Sequence, residues 1–274
     1  MKPNHWSVTL SATATALLML SSAPAAAQAE SQARKPDLIV TVGGGAQMYP
    51  RYPGADGSDL FPMPIFSIRR ADRPIEFESS DEGIGLGLLK SGSPINFGPA
   101  IQLQGSRRNK DVGAPVGKVG FTIEAGAFVQ TWIGPNLRLR VEGRHGLGGH
   151  EAWVGDVSAD LVLRDGDRTV FGIGPRVRVS DGRYQRAYFG VTPAVAAATG
   201  LAAYRPKGGI HAVGAAASVT HQLSENWGLY GYAGYDRLIG NAADSPIVRR
   251  VGSRDQLSGG IGLSYSFRIR RGRD

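Results

Sequence analysis

Leu257-Ser258-Gly259-Gly260-Ile261-Gly262-Leu263-Ser264-Tyr265-Ser266-Phe267 is the stretch whose reading decides the fold. Successive side chains of a β-strand point to opposite faces, so Leu257, Gly259, Ile261, Leu263, Tyr265 and Phe267 share one face and Ser258, Gly260, Gly262, Ser264 and Ser266 share the other. The polar face holds only glycine and serine, too small and too regular for a strand that meets water, but suited to the crowded interior of a narrow barrel. The apolar face would then meet lipid.

The same period runs back through the chain. Ile95, Phe97, Pro99, Ile101 and Leu103 alternate with Asn96, Gly98, Ala100, Gln102 and Gln104. The pattern recurs over 119–129, 137–143, 155–163, 171–179, 211–219 and 227–235, with further segments near 38–48, 60–70, 74–90 and 184–190. That gives about twelve segments, each close to the roughly 9–11 residues with which a tilted strand crosses a membrane. The expected fold is all-β, a transmembrane antiparallel up-and-down β-barrel of about twelve strands. Ten strands is the alternative count, because the 74–90 segment changes phase near Ser79 to Asp81 and reads either as a bulged strand or as two shorter ones.

Gly134-Pro135-Asn136, Asp165-Gly166-Asp167, Ser180-Asp181-Gly182 and Ser224-Glu225-Asn226 read as tight hairpin turns. Longer connections fall at 49–59, 191–209 and 239–256, all extracellular in a twelve-strand count whose first strand leaves the periplasm. The basic 106–118 connection, with Arg107, Arg108, Lys110 and Lys118, then falls on the periplasmic side, where turns are usually short.

Composition supports this reading. Glycine makes up 39 of 274 residues, whereas about 7% is usual. Small residues beside long arginines suit a narrow lumen, and an alternating chain averages to the near-neutral mean hydropathy of −0.16. No stretch after residue 29 approaches the ~20 apolar residues of a membrane-spanning helix. With no cysteine, disulfide scaffolds, cysteine zinc sites and thiol catalysis are excluded. Residues 1–29 read as a cleaved signal peptide: Lys2 supplies the positive end, Val8 to Leu20 the apolar core and Ala27-Gln28-Ala29 the cleavage site. The barrel is expected over 30–267, followed by a basic tail over 268–274. Removal of Lys2 takes the formal charge from +8 to 8 − 1 = +7.

Leu137, Leu139 and Val141 point one way, so Arg138, Arg140, Glu142 and Arg144 point the other. Glu124 on the preceding strand, and Asp156, Asp160, Arg176 and Arg178 on the following ones, share that parity. Folding the hairpins about their turns places Glu124 near Arg144, Asp160 near Arg138, and Asp156 near Arg176 or Arg178. In a soluble sandwich this would be a solvated surface ladder, each pair worth well under ~1 kcal/mol. Inside a membrane barrel it is a buried ion-pair network filling the lumen.

Several blocks resemble the MltA-interacting protein (MipA)/OmpV family. They are Tyr52-Pro53-Gly54-Ala55-Asp56-Gly57-Ser58-Asp59 with Phe61-Pro62-Met63-Pro64, then Gly148-Gly149-His150-Glu151, and then Tyr188-Phe189-Gly190-Val191-Thr192-Pro193. Gly200-Leu201-Ala202-Ala203-Tyr204, the run from Gly240 to Val248, and Gly252-Ser253-Arg254-Asp255-Gln256 leading into the final strand complete it. The resemblance spans nearly all of the mature chain and implies an outer-membrane β-barrel. For the founding member it also implies a scaffold linking a murein hydrolase to a murein synthase. One departure stands out: such barrels end on the aromatic of the last strand, whereas here Arg268-Ile269-Arg270-Arg271-Gly272-Arg273-Asp274 follows Phe267.

Motifs of catalysis and metal binding read as structural. His145, His150 and Glu151 lie in a glycine-rich connection rather than on the helix that a H-E-x-x-H zinc site needs. Asp165-Gly166-Asp167 lacks the remaining ligands of a calcium loop, and Gly83-Ile84-Gly85-Leu86-Gly87 lacks dinucleotide-loop spacing. No G-x-S-x-G is present. His211 and His221 fall on the outward parity, and the tyrosines and tryptophans of the last two strands read as interfacial girdles. No catalytic residue, cofactor or metal is expected, and export argues against nucleic acid. The expected function is a non-enzymatic scaffold of cell-envelope (murein) machinery in the outer membrane, in contact with membrane lipid and lipopolysaccharide. The alternatives are a small pore for solute uptake and a barrel enzyme acting on envelope lipid.

Overall fold

Period-2 alternation bounded by turn residues yields eleven strands among the described residues, 36–89 and 92–270 of this computed structural model. They are β1 (Leu38–Pro50), β2 (Ser58–Arg70), β3 (Ile84–Gly85), β4 (Ile95–Gln104), β5 (Thr122–Ile133), β6 (Leu137–Leu147), β7 (Trp153–Asp165), β8 (Thr169–Ser180), β9 (Gly209–Gln222), β10 (Trp227–Leu238) and β11 (Asp255–Ile269). Short helices occupy connections: α1 (Asn109–Val112), α2 (Gly182–Phe189), α3 (Pro193–Thr199), α4 (Gly240–Asp244) and α5 (Pro246–Val251). The expected signal peptide and the last four residues of the basic tail lie outside the described residues. β11 itself runs two residues past Phe267, pairing Arg268 with Ile39 and Ile269 with Leu38.

The strands form one antiparallel sheet in the order β2-β1-β11-β10-β9-β8-β7-β6-β5-β4-β3. The first and last full strands are neighbours, as an up-and-down barrel requires. Burial follows the alternation. On β6, Arg138, Arg140, Glu142 and Arg144 are buried while Val141 between them is 56% exposed. Leu60, Phe66, Ile101, Leu103, Val129, Leu161, Ile261 and Leu263 are likewise exposed on the other strands. A soluble monomer rarely exposes a contiguous apolar surface of this extent, and a membrane barrel requires one. The sheet is that of a transmembrane β-barrel with its apolar face outward.

The strand count corrects the sequence expectation in two places. Residues 184–190 are not a strand: they fall in and just after α2. Asp181 accepts hydrogen bonds from the backbone N–H groups of Arg183 (2.8 Å) and Tyr184 (2.9 Å), which makes Ser180-Asp181-Gly182 a helix cap rather than a hairpin turn. Residues 74–90 are not one crossing strand either. Ten antiparallel pairings separate β2 from β3, so these two edge strands run in the same direction. The chain must therefore return the length of the barrel between them, and residues 71–83 do so on the inner face. Ile75 is held at the β7–β8 turn, where its N–H donates to Asp167 (2.8 Å), while Asp81 reaches Arg176 and Arg178 higher on β8. Ile84 then pairs with Ile101, and the backbone bonds of Leu86 to Pro99 and Leu88 to Phe97 continue the descent beside β4. No ladder joins β2 to β3 among the described residues. Pro62 and Pro64, which lack N–H donors, suit β2 to an edge.

This extra crossing also corrects the position of the 106–118 connection. It leaves the end of the barrel that carries 51–57, 181–208 and 239–254, not the opposite end. Val112 and Val116 pack there with Tyr52, Ala55, Val191, Leu201 and Ile247. All long connections thus cap one end, and the short turns at 134–136, 166–168 and 223–226 mark the other.

Candidate functional site

Two-residue spacing on β6 aims Arg138, Arg140, Glu142 and Arg144 at the interior, and the hairpin registers bring opposite charges beside them. Arg144 Nε donates to Glu124 Oε2 (3.0 Å) and Arg144 Nη2 to Asp156 Oδ2 (2.7 Å). Asp160, wholly buried, accepts from Arg138 Nη2 and from Arg176 Nη2, each at 2.8 Å. Asp156 also accepts from Arg178 Nη1 (2.9 Å). Glu142 takes Arg140 Nη2 at 2.6 Å and pairs with Arg144. The nine residues singled out in the sequence form two groups of ion pairs, which Asp81 and Glu82 join into one network, and of the two partners open to Asp156 it takes Arg178.

Four further participants join them. Asp81 accepts from Arg176 Nε (2.8 Å) and Arg178 Nη2 (3.1 Å), and Glu82 pairs with Arg138. Asp236 on β10 accepts from Arg178 Nε (2.9 Å). The Phe77 ring lies 4.6 Å from the Arg138 guanidinium carbon and against β8 at Gly172, where a Cβ would come within 2.1 Å of it. Asp81, Glu82 and Phe77 all belong to the interior-crossing segment 71–83. That segment is thus pinned to β6 and β8 by charge and by a cation–π contact. A cavity among Asp81, Glu82, Arg140, Glu142, Asp156 and Arg176 measures about 10 Å³, room for about one water. Every carboxylate named accepts from a guanidinium.

Above the network, the long connections form a cap. His150 Nε2 lies 3.0 Å from Glu124 Oε1, while its Nδ1 accepts the Ala152 N–H (3.2 Å). Its ring meets those of Tyr184 (5.1 Å) and Tyr188 (6.1 Å). Burial raises the phenol pKa of both tyrosines. Arg107, 1% exposed, donates to the Tyr188 carbonyl (2.7 Å) between the rings of Tyr52 and Tyr188, and burial lowers its pKa. The residues of the histidine-rich connection take separate partners. His145 packs edge-on against Trp153 (5.0 Å), and Glu151, at φ +44°, pairs with Arg183. His211 is not outward as its parity suggested. A register shift beside Val179 turns it inward, where its Nδ1 meets Ser180 Oγ at 3.0 Å.

The family model described as "MltA-interacting protein MipA" matches residues 42–267. No curated protein matches the chain. Among solved structures it is similar to the NanC porin, with a TM-score of 0.39 and 10% identity over 83% of this chain and 98% of that one. It is also similar to the outer membrane protein OprG from Pseudomonas aeruginosa, with a TM-score of 0.26 and 10% identity over 85% of this chain and 97% of that one. A third is the translocator domain of the autotransporter NalP from Neisseria meningitidis, with a TM-score of 0.36 and 13% identity over 86% and 90%.

Proposed function

The chain belongs to the MltA-interacting protein family, and from that premise we propose that this outer-membrane β-barrel is a non-enzymatic scaffold, acting by docking envelope proteins at its ends. The filled interior carries the reading. A lumen closed by paired charges and an inner segment leaves its end surfaces as the places to meet a partner. The family name and the resemblance support a murein hydrolase and a murein synthase as the partners. Uptake through the lumen is the competing reading, and the same closure weighs against it.

Outer-membrane barrels put their short turns in the periplasm and their long loops outside. The 106–118 connection belongs with the long loops, so it is not the docking surface. Periplasmic partners are met instead by the turns at 134–136, 166–168 and 223–226, beside Arg268 and Arg270 at the end of β11. A photocrosslinker placed at Asn136, Gly166 or Glu225 in whole cells is expected to recover murein enzymes, and one at Ala114 is not. Recovery of no murein enzyme from any of the three short turns would overturn the scaffold.

A further inference from the structure

A second cavity, of about 490 Å³, opens beside the foot of the inner segment, between residues 74–77 and the short-turn ends of β4 and β5. Its size falls within the roughly 300–1,000 Å³ of small-molecule sites, and it adjoins the ion-pair network, which it meets at Phe77 and Gln130. Trp132 lines it while packing against the Phe77–Val162–Val170 cluster, so its indole is a ring platform held in place.

The polar atoms around that platform are sorted by what they already bind. Asn96 Oδ1 accepts the backbone N–H groups of Leu89 (3.1 Å) and Phe97 (2.9 Å), and Gln130 Oε1 accepts Arg140 Nη1 (3.1 Å). With both amide oxygens in use, the NH2 groups are the donors these two lining side chains hold for a ligand. Arg164 donates one Nη to the Ile75 carbonyl, and Glu76 lines the same wall, so cation and carboxylate stand there together. An aromatic platform, two side-chain amides and a wall that carries both a guanidinium and a carboxylate suit an uncharged ring with one apolar face and many hydroxyls.

We propose that this vestibule binds a small neutral carbohydrate of one or two rings, stacked on Trp132 and hydrogen-bonded by Asn96 and Gln130. The inference does not depend on the scaffold reading: binding would stand if no partner docked, and its loss would leave docking intact.

The test is a titration of the detergent-folded full chain with glucose, N-acetylglucosamine and maltose, and with sodium acetate as the anion, followed by calorimetry and tryptophan fluorescence. At least one sugar is expected to saturate, with tryptophan quenching, and acetate is not. Trp132→Ala should weaken that sugar on the order of tenfold or more, the loss of roughly 1.4 kcal/mol or more that removing a stacking platform implies. Trp132→Phe should recover part of it, and Trp153→Phe, on the outer face, should leave it unchanged. Heat-modifiable migration checks that each variant is folded, and Gln130→Ala serves if Trp132→Ala is not. No saturable sugar, a sugar indifferent to Trp132 and Gln130, or saturable acetate in place of sugar would each overturn the proposal.

Discussion

Replacing residues 74–82 with a Gly/Ser linker of equal length is expected to turn a non-conducting barrel into a conducting one. The linker preserves the return path that the parallel edges β2 and β3 demand, so the sheet can still form. It removes Phe77 from Arg138 and Gly172, Asp81 from Arg176 and Arg178, and Glu82 from Arg138. The wild-type barrel, with about 10 Å³ free among the network residues, should give no channel events in a planar bilayer. The linker variant should give discrete steps with a preference for anions, because Arg138, Arg140, Arg176 and Arg178 each lose a carboxylate partner. Asp81→Asn with Glu82→Gln, which keeps the shape of the segment, should give brief openings rather than a steady current. A folded linker variant that stays silent, or a wild type that conducts steadily, would show that the inner segment is not what closes the lumen.

Removing the Asp160 carboxylate has the largest expected effect on stability. It bridges Arg138 and Arg176 while wholly buried, so Asp160→Ala strips one partner from two interior guanidiniums. Breaking a buried ion pair by deleting one member costs roughly 3–5 kcal/mol. Arg138 retains Glu82 and Arg176 retains Asp81, which places the expected loss near the lower end, about 3 kcal/mol. Asp72→Ala is the control: its pair with Arg70 lies in solvent, and its removal should leave stability nearly unchanged. Urea unfolding in lipid vesicles reads both. Equal, small losses would mean that the interior charges are solvated like those at the surface.

Most of this architecture is legible in the sequence because a one-residue slip would carry every side chain to the wrong face. Leu257 to Phe267 lies inside β11, and the parity of Arg138, Arg140, Glu142 and Arg144 is the parity of burial. Hairpin geometry then brings Glu124 to Arg144 and Asp160 to Arg138 from turn positions alone. What escaped depended on information that strand parity does not carry. Tyr184, Tyr188 and Phe189 are spaced as a helical stripe behind the Asp181 cap, but a cap and a hairpin turn use the same residue types. Asp81 and Glu82 interrupt an apolar alternation, and a phase change looks alike whether a strand bulges or the chain leaves the sheet and crosses the interior. The position of the 106–118 connection followed from that miscount. One unseen crossing moves every later connection to the other end, and the false strand at 184–190 restored the balance by chance. His211 was misplaced by the register shift at Val179, which alternation by itself does not reveal.

Because the chain has no cysteine, single-cysteine labelling tests the outward-apolar, lipid-embedded barrel most directly. A membrane-impermeant maleimide applied to intact cells should label Ala114→Cys in the long-connection cap and leave Asn136→Cys in a short turn unlabelled until the outer membrane is permeabilised. It should leave Val141→Cys and Leu263→Cys, on the exposed apolar face, unlabelled in both conditions, while a lipid-soluble maleimide labels them. Labelling of Val141→Cys or Leu263→Cys by the impermeant reagent in folded protein would place that face in water and contradict the account.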